Sequence, residues 1–162
     1  MDITPALPPY GHLDQSAVMC IAAASRRYQV PELLMHAILL KENGRTGECS
    51  KNKNGTLDCG LAQINSIWTS HFQKHGISYE VIKNDACLNI HVSAYILRSF
   101  YVKKGMDWGK AIISYNIGPN NWTPKRYSVG YRYAVDVVNY WRALDARRTQ
   151  YQRYGKPSDE RP

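Results

Sequence analysis

The stretch PELLMHAILLKE, residues 31–42, sets the main expectation for the fold of this chain. Pro31 has no N–H to leave unpaired, so it suits the beginning of a helix. Leu34, Ile38 and Glu42 follow one another in steps of four, which places them on one face of that helix. A carboxylate at the end of an apolar stripe is unusual, because an unpaired buried charge is costly. Glu42 is therefore either a solvated residue at a fraying helix end or a functional group.

The composition is that of one globular domain. A chain of 162 residues is long enough for one well-buried domain and too short for two ordinary ones. Its net charge of +8 favours an anionic partner, such as nucleic acid, a phospholipid surface or an acidic cell-wall polymer. The 12 tyrosines suit a groove for a polar ligand, because a tyrosine packs and still offers a hydroxyl. We expect no membrane span, since no stretch is long and apolar enough.

The four cysteines bear on the compartment of the protein. Their even number is compatible with two disulfides and an oxidising compartment, and none lies in a C-x-x-C pair that would indicate zinc or thioredoxin chemistry. Of the three possible pairings, Cys49 with Cys59 is favoured because the intervening SKNKNGTLD resembles a hairpin, which leaves Cys20 for Cys87. The N-terminus lacks the basic and apolar regions of a leader. Either the protein is cytosolic, or a leader has been removed.

Helices dominate the predicted architecture, and one small hairpin interrupts them. Beyond the helix of residues 31–42, helices are predicted after Asp14, after Asn65 or Ser66, over residues 79–82 and 87–105, after Asp107, and around Tyr131, Ala134, Val135, Val138 and Trp141. The hairpin turn is predicted at Asn54 and Gly55. We divide the chain into a lead-in (1–12), a mostly α domain (13–145) and a basic tail (146–162), which we expect to be solvated.

Two further apolar segments contain polar side chains. GLAQIN, residues 60–65, includes Gln63 and Asn65, and the helix after Asp107 ends on Tyr115 and Asn116. Each feature alone is weak evidence of function, because buried amides usually satisfy backbone groups and a Tyr-Asn pair usually ends a helix. Their order along the chain, after Glu42, is more informative.

In this order, the motifs resemble those of the Slt-type lytic transglycosylases, which have a lysozyme-like (goose-type) fold. That family shows Glu-Ser at the end of a buried helix, then Gly-Leu-Met-Gln, then Ala-Tyr-Asn-x-Gly, then a tyrosine on the last helix. The counterparts here are Glu42 with the residue after it, GLAQ at 60–63, SYNIG at 114–118, and Tyr133. The resemblance covers roughly residues 14–142, and the four motifs together are far more specific than any one of them.

The resemblance is closest to small periplasmic members that accompany type IV secretion and conjugation, type IV pili or type III secretion. Cys20 and Cys87 match cysteines that are characteristic of those relatives. The departures from the pattern are Asn43 for Ser, Ala62 for Met, and Ser114 for Ala. The first removes a hydroxyl that helps to orient substrate in relatives, and the second should widen one wall of the groove.

The resemblance implies a role for each matching residue. Glu42 is the catalytic residue: it gives its proton to the glycosidic oxygen of peptidoglycan, then takes the proton of the C6 hydroxyl, so that a 1,6-anhydro sugar forms. Tyr115 is expected to help hold Glu42, Tyr133 to close the groove, and three amides to contact the glycan. These amides are Gln63, Asn65 and Asn116. No cofactor or metal is implied.

Three alternatives remain at this point. A muramidase would use water and a second carboxylate, for which Glu48 and Asp58 in the hairpin are the few candidates. A non-catalytic glycan-binding assembly factor is allowed by Asn43 and Ala62, although the intact Glu42 argues against it. A nucleic-acid-binding protein has the net charge in its favour but shows no recognisable motif, so we expect no nucleic-acid partner.

Two other features invite a functional interpretation. His71 and His75 lie four residues apart on a predicted helix, but a zinc site would lack its third ligand. Trp122 follows the Tyr-Asn motif in a polar loop, where it either stacks on a sugar ring or packs locally. The sequence thus predicts a periplasmic enzyme that cuts peptidoglycan, with components of an envelope machine as possible partners.

Overall fold

The computed structural model describes residues 3–154, and its elements are mostly helical. In chain order they are α1 (Gln15–Tyr28), α2 (Glu32–Glu42), β1 (Cys49–Lys51), β2 (Leu57–Cys59), β3 (Ile64–Asn65), a 3₁₀ turn (Ser66–Trp68), α3 (Thr69–Gln73), α4 (Tyr79–Asn84), α5 (Ala86–Lys103), α6 (Trp108–Ile117) and α7 (Pro124–Tyr154). The prediction of a mostly α domain with a small hairpin is confirmed.

Local capping chemistry sets several of the helix starts. The Asp14 carboxylate accepts a hydrogen bond from the Ala17 N–H at 2.8 Å, and Asp107 accepts one from Lys110 N–H at 2.9 Å. Each bond satisfies a backbone donor that the first turn of a helix leaves unpaired. Both caps are as the sequence predicted.

Helix α2 lies at the centre of the core. Its residues 33–39 are all buried, as expected of a helix that is apolar around its whole circumference. It packs against α7, which also contacts α6, while α1 packs on α5. The α6–α7 contact is close: a Cβ added at Gly130 would come within 2.7 Å of Ile113 Cγ2. Helix α7 therefore packs on both α2 and α6, and its approach to α6 leaves no room for a side chain at Gly130.

The hairpin is confirmed, and a third strand extends it. Strand β1 pairs with β2 in antiparallel register, with Cys49 opposite Cys59, and the turn runs through Gly55 at φ 86°. Strand β3 pairs with β2, so that Asp58 lies opposite Asn65. The predicted disulfides are both present, Cys49 to Cys59 and Cys20 to Cys87.

The lead-in packs on the domain, and α7 runs beyond the predicted domain boundary. The Tyr10 hydroxyl hydrogen-bonds His36 Nδ1 at 2.6 Å, and the Arg147 guanidinium lies 5.3 Å from the Tyr10 ring centre. Helix α7 continues without a break past residue 145 to Tyr154, so this part of the basic tail is helical. Residues 155–162 lie outside the described range. Within residues 3–154, no helix has the length and apolar character needed to cross a membrane.

Candidate active site

Glu42 ends helix α2 and is held by a tyrosine from α7. The Tyr133 hydroxyl donates a hydrogen bond to Glu42 Oε1 at 2.6 Å, and the Tyr133 side chain is buried. The adjacent Lys41 binds Asp136 of α7 at 2.8 Å, so two side-chain contacts join the end of α2 to α7. Burial and the nearby Glu42 raise the pKa of Tyr133 well above its usual range, which keeps its hydroxyl protonated and able to donate.

Glu42 combines a partly buried side chain with a strongly raised pKa. Burial is the largest cause and raises the pKa of the Glu42 carboxyl to about 7, because a low-dielectric surrounding disfavours the charged form. The bond from Tyr133 and the charge of Lys41 lower this pKa, and the charge of Asp58 raises it. Near neutral pH a substantial fraction of Glu42 is therefore protonated, as a general acid requires.

Asp58 is a second carboxylate in the electrostatic neighbourhood of Glu42. Its Oδ1 accepts a bond from Asn65 Nδ2 at 2.8 Å, and its Oδ2 accepts one from Asn52 Nδ2 at 2.9 Å. The sheet therefore holds this carboxylate in a fixed orientation. Its charge raises the pKa values of Glu42, Tyr79 and Tyr115. Sequence reasoning assigned Asp58 to the hairpin, and only the fold shows that the hairpin approaches Glu42.

The end of α2 lies directly against the GLAQ segment. A Cβ added at Gly44 would lie 2.0 Å from the Gly60 carbonyl oxygen and 2.9 Å from Gln63 Nε2, so only glycine fits there. Gln63 itself has φ 52°. Its Nε2 donates to the Gly60 carbonyl at 3.0 Å, and Ser50 Oγ donates to its Oε1 at 2.9 Å. The amide is thus fixed beside the segment that carries Glu42.

Tyr115 contacts the same segment from α6. Its hydroxyl donates to the Ala62 carbonyl at 2.8 Å and hydrogen-bonds Ser93 Oγ at 2.9 Å. Burial raises the pKa of Tyr115 above its usual range, and the charge of Glu42 adds to this effect. The resemblance had given Tyr115 the task of holding Glu42; in the structure Tyr133 makes that bond, and Tyr115 positions the backbone of residue 62.

Asn89 positions the GLAQ segment from α5, and sequence reasoning missed it. It is 0% exposed. Its Oδ1 accepts from the Ala62 N–H at 2.8 Å, and its Nδ2 donates to the carbonyls of Cys59 and Ile82, both at 3.0 Å. An asparagine on the apolar face of a predicted helix was the one available signal, since a buried amide must find partners.

The remaining predicted residues are less central in the structure. Asn65 bonds Asp58 and donates to Thr56 Oγ1 at 3.1 Å, while its Oδ1 accepts from the Ile67 N–H at 2.9 Å, so it organises the sheet. Asn116 is exposed next to Tyr115 near the end of α6. Their contacts with a glycan stay predictions.

His71 lies in an aromatic cluster. Its Nε2 hydrogen-bonds the Tyr95 hydroxyl at 3.0 Å, and its ring centre is 5.6 Å from that of His75. Across residues 3–154 there is no group of three or more His, Cys, Asp or Glu side chains able to hold a metal ion. The interactions of His71 are accordingly with its aromatic neighbours.

Comparisons with known proteins show what the chain is similar to. The family model described as Transglycosylase SLT domain matches residues 19–134. The chain is 30% identical over 148 residues to "Protein IpgF" of Shigella flexneri, covering 91% of each chain. It is 32% identical over 126 residues to "Invasion protein IagB" of Salmonella typhi, covering 77% of this chain and 76% of the relative. It is also 30% identical over 129 residues to "X polypeptide" of Escherichia coli (strain K12), covering 79% and 75%.

Proposed function

Because the chain belongs to the SLT transglycosylase family and is a peptidoglycan lytic transglycosylase with a lysozyme-like domain, we propose that it leaves 1,6-anhydro ends on the glycan. The bond cut is the β-1,4 bond between N-acetylmuramic acid and N-acetylglucosamine. The observation that carries the proposal is the Glu42 carboxyl, whose pKa is raised to about 7 and whose orientation is fixed by Tyr133.

One carboxyl suffices for this reaction. Glu42 donates its proton to the glycosidic oxygen as the bond from that oxygen to C1 breaks. The substrate's own N-acetyl group stabilises the positive charge at C1. The Glu42 carboxylate then takes the proton of the C6 hydroxyl, and the C6 oxygen bonds to C1. Glu42 ends as it began, protonated, and no water is consumed.

Asp58 supports hydrolysis as a second candidate reaction. A muramidase needs a second carboxylate near the scissile bond, and the charge of Asp58 reaches Glu42 strongly enough to raise its pKa. In that reaction, water attacks C1 and the product has a reducing end. The product distinguishes the two reactions.

We further propose that the enzyme works in the periplasm and opens the wall locally for a trans-envelope secretion, conjugation or pilus machine. Two disulfides favour an oxidising compartment. The name of the relative "Invasion protein IagB" and the resemblance to small secretion-associated enzymes support the link to such a machine.

The proposed product is tested by mass spectrometry of the sugars released from purified sacculi. We expect muropeptides one water lighter than reducing muropeptides, because the C6 oxygen of the substrate replaces water as the nucleophile. Reducing-end muropeptides as the main product would contradict the proposal and would establish hydrolysis. Retention of the protein on sacculi without any release would instead favour a non-catalytic assembly factor.

The pH dependence of the rate is expected to move in opposite directions in two variants. The wild-type rate should fall as pH rises through about 7, since Glu42 must be protonated to donate. Tyr133→Phe removes a bond that stabilises the carboxylate, so this alkaline limb should move to higher pH. Asp58→Asn removes a negative charge that disfavours the Glu42 carboxylate, so the limb should move to lower pH. The rate on soluble glycan fragments between pH 5 and 9 measures both shifts.

Glu48→Gln is the matched control for the loss of a carboxylate from the hairpin. Glu48 is exposed, and its charge is not among the causes of the raised Glu42 pKa. The limb should therefore stay at its wild-type position in this variant. A shift of the limb in the same direction for Tyr133→Phe and Asp58→Asn would show that the two side chains do not act on Glu42 in the way the structure indicates.

A further inference from the structure

Three aromatic rings form a continuous series next to the SYNIG motif. The Trp122 and Tyr127 ring centres are 5.9 Å apart, and those of Tyr127 and Tyr131 are 6.1 Å apart. We call Trp122, Tyr127 and Tyr131 the aromatic ladder. Its two tyrosines are 43% and 54% exposed, although a tyrosine on a core-facing stripe would bury most of its ring. Large apolar side chains exposed as a group, rather than singly, indicate a binding surface.

The surrounding loop fixes the first ring of the ladder. Trp122 Nε1 donates to the Gly118 carbonyl at 2.7 Å, and Lys104 Nζ lies 4.1 Å from the Trp122 ring centre. The Arg126 guanidinium donates to the carbonyls of Asn120 and Asn121, at 3.2 and 2.9 Å, and also to the Ile117 carbonyl. A side chain that is ordered before binding costs less entropy when a ligand binds.

The ladder tyrosines and Tyr133, which bonds Glu42, lie on different faces of α7. Successive residues of a helix differ by about 100° in direction, so Tyr131 and Tyr133 point to opposite sides. Tyr133 reaches Glu42, and Tyr131 faces solvent. The first ring of the ladder, Trp122, nevertheless bonds the carbonyl of Gly118, which lies three residues after Tyr115. The ladder is therefore separate from the cleavage site but continuous with the motif that borders it.

We propose that the aromatic ladder binds the sugar rings of a peptidoglycan glycan strand outside the cleavage site, so that the enzyme is held on the insoluble polymer while it cuts. This inference rests on the proposed function, since it assigns a second contact with the same substrate. The exposed rings of Tyr127 and Tyr131 offer flat faces that can stack on sugar rings, and their hydroxyls can bond the sugar's polar groups. Trp122, which lies under Lys104 and packs on the core, holds the start of the ladder in place. A polymeric substrate extends past the cleaved bond, so a surface that adjoins the site meets it.

Binding is measured with purified sacculi in a Glu42→Gln background, so that the polymer is not digested during the experiment. The combined variant Tyr127→Ala and Tyr131→Ala is expected to bind about ten-fold more weakly, as the loss of two stacking contacts implies. Tyr140→Ala is the matched control, because Tyr140 lies on the same helix and is 42% exposed but is not part of the ladder. It should bind like the parent protein.

Cleavage rates on two substrates distinguish a glycan-binding role of the ladder from a purely structural one. With Glu42 intact, the ladder variant should release sugars from sacculi about ten-fold more slowly and cut short soluble fragments at the parent rate. A parallel fall on both substrates would overturn the proposal, because it would show damage to the cleavage site. Unchanged binding to sacculi would also overturn the proposal, because the ladder would then not be a glycan-binding surface. Absence of any release by the parent protein would contradict the proposed function, whereas the binding comparison does not require turnover.

Discussion

Replacing Glu42 by glutamine is expected to slow glycan cleavage by at least about a thousand-fold. General acid and base catalysis contribute roughly 10²–10⁴-fold, and the proposed reaction uses this one side chain for both proton transfers. Glutamine has nearly the same shape, and the Tyr133 hydroxyl that now donates to Glu42 Oε1 can still donate to the amide oxygen. The amide has no acidic proton to give to the glycosidic oxygen. Release of soluble sugars from sacculi, followed with time, measures the effect.

The same variant should be more stable than the parent protein above pH 7. The folded-state pKa of Glu42 is raised from 4.5 to about 7, so the unfolded chain loses this proton first as pH rises. The raised pKa therefore destabilises the parent progressively above pH 4.5, and the loss levels off above pH 7 at about 3 kcal/mol. Glutamine carries no charge and avoids this loss. Urea unfolding of both proteins at pH 4 and pH 8 measures the difference.

The cleavage rate and the stability of the glutamine variant each serve as a control for the other. A glutamine variant that is inactive and more stable at pH 8 has lost chemistry and kept its fold. A variant that retains more than about a tenth of the parent rate would show that Glu42 is not the acid. Equal stability of the two proteins at pH 8 would show that the Glu42 carboxyl is not buried in the way the structure shows.

Local signals account for the part of the fold that was predicted correctly. The caps at Asp14 and Asp107 and the hairpin between Cys49 and Cys59 each depend on residues a few positions apart. Strand β3 was missed because it has only two residues, Ile64 and Asn65, and exists through its pairing with β2. Such a pairing is a tertiary contact that no pattern within GLAQIN reveals.

The last helix was predicted to exist, but its length was not, and its inward face was predicted only in part: Ala134 is buried, and Val138 and Trp141 pack partly on the core. Its end is basic and aperiodic, yet α7 continues to Tyr154, and Arg147 lies over the ring of Tyr10 from the lead-in. Tyr131 and Val135 helped to predict this helix, but both are exposed, and Tyr133 and Val137 are buried instead. Contacts with α2 and α6 decide this orientation, and they join segments far apart in sequence.

The candidate site was predicted through its motifs and not through its contacts. Order along the chain identified Glu42, Tyr115 and Tyr133, but it could not say which tyrosine bonds the acid. That assignment depends on where α6 and α7 cross α2: Tyr133 reaches Glu42, and Tyr115 reaches the Ala62 carbonyl. Sequence reasoning could not choose Asp58 over Glu48 as a second carboxylate for the same reason, since the approach of the hairpin to α2 is visible only in the folded chain.

Asn89→Ala is expected to destabilise the protein by about 3–5 kcal/mol. The change removes three hydrogen bonds and leaves the Ala62 N–H and the carbonyls of Cys59 and Ile82 without this partner in a buried place. Net loss is about 1 kcal/mol for each bond, and an orphaned buried group costs about 1–3 kcal/mol, which makes the total large. Thermal unfolding should show a melting temperature lower by roughly 10 °C.

Asn84→Ala is the matched control, because it deletes the same amide from an exposed position. Asn84 Nδ2 donates to the Glu80 carbonyl and carboxylate at 2.9 and 3.0 Å, both at the surface, where water replaces the lost bonds. Its effect should stay within about 0.5 kcal/mol. Equal effects of the two substitutions would contradict the buried role of Asn89.

Asn89→Ala is also expected to lower the cleavage rate. Ala62 also accepts the bond from Tyr115, and the next residue, Gln63, lies against the end of α2 near Gly44. Without Asn89, the GLAQ segment loses its support from α5, so the cleavage rate should fall even at temperatures where the variant is fully folded. A catalytic or substrate-positioning group that is displaced lowers the reaction rate even when its own chemistry is unchanged. A folded variant with the parent rate would show that Tyr115 and Gly44 are enough to hold this wall of the site.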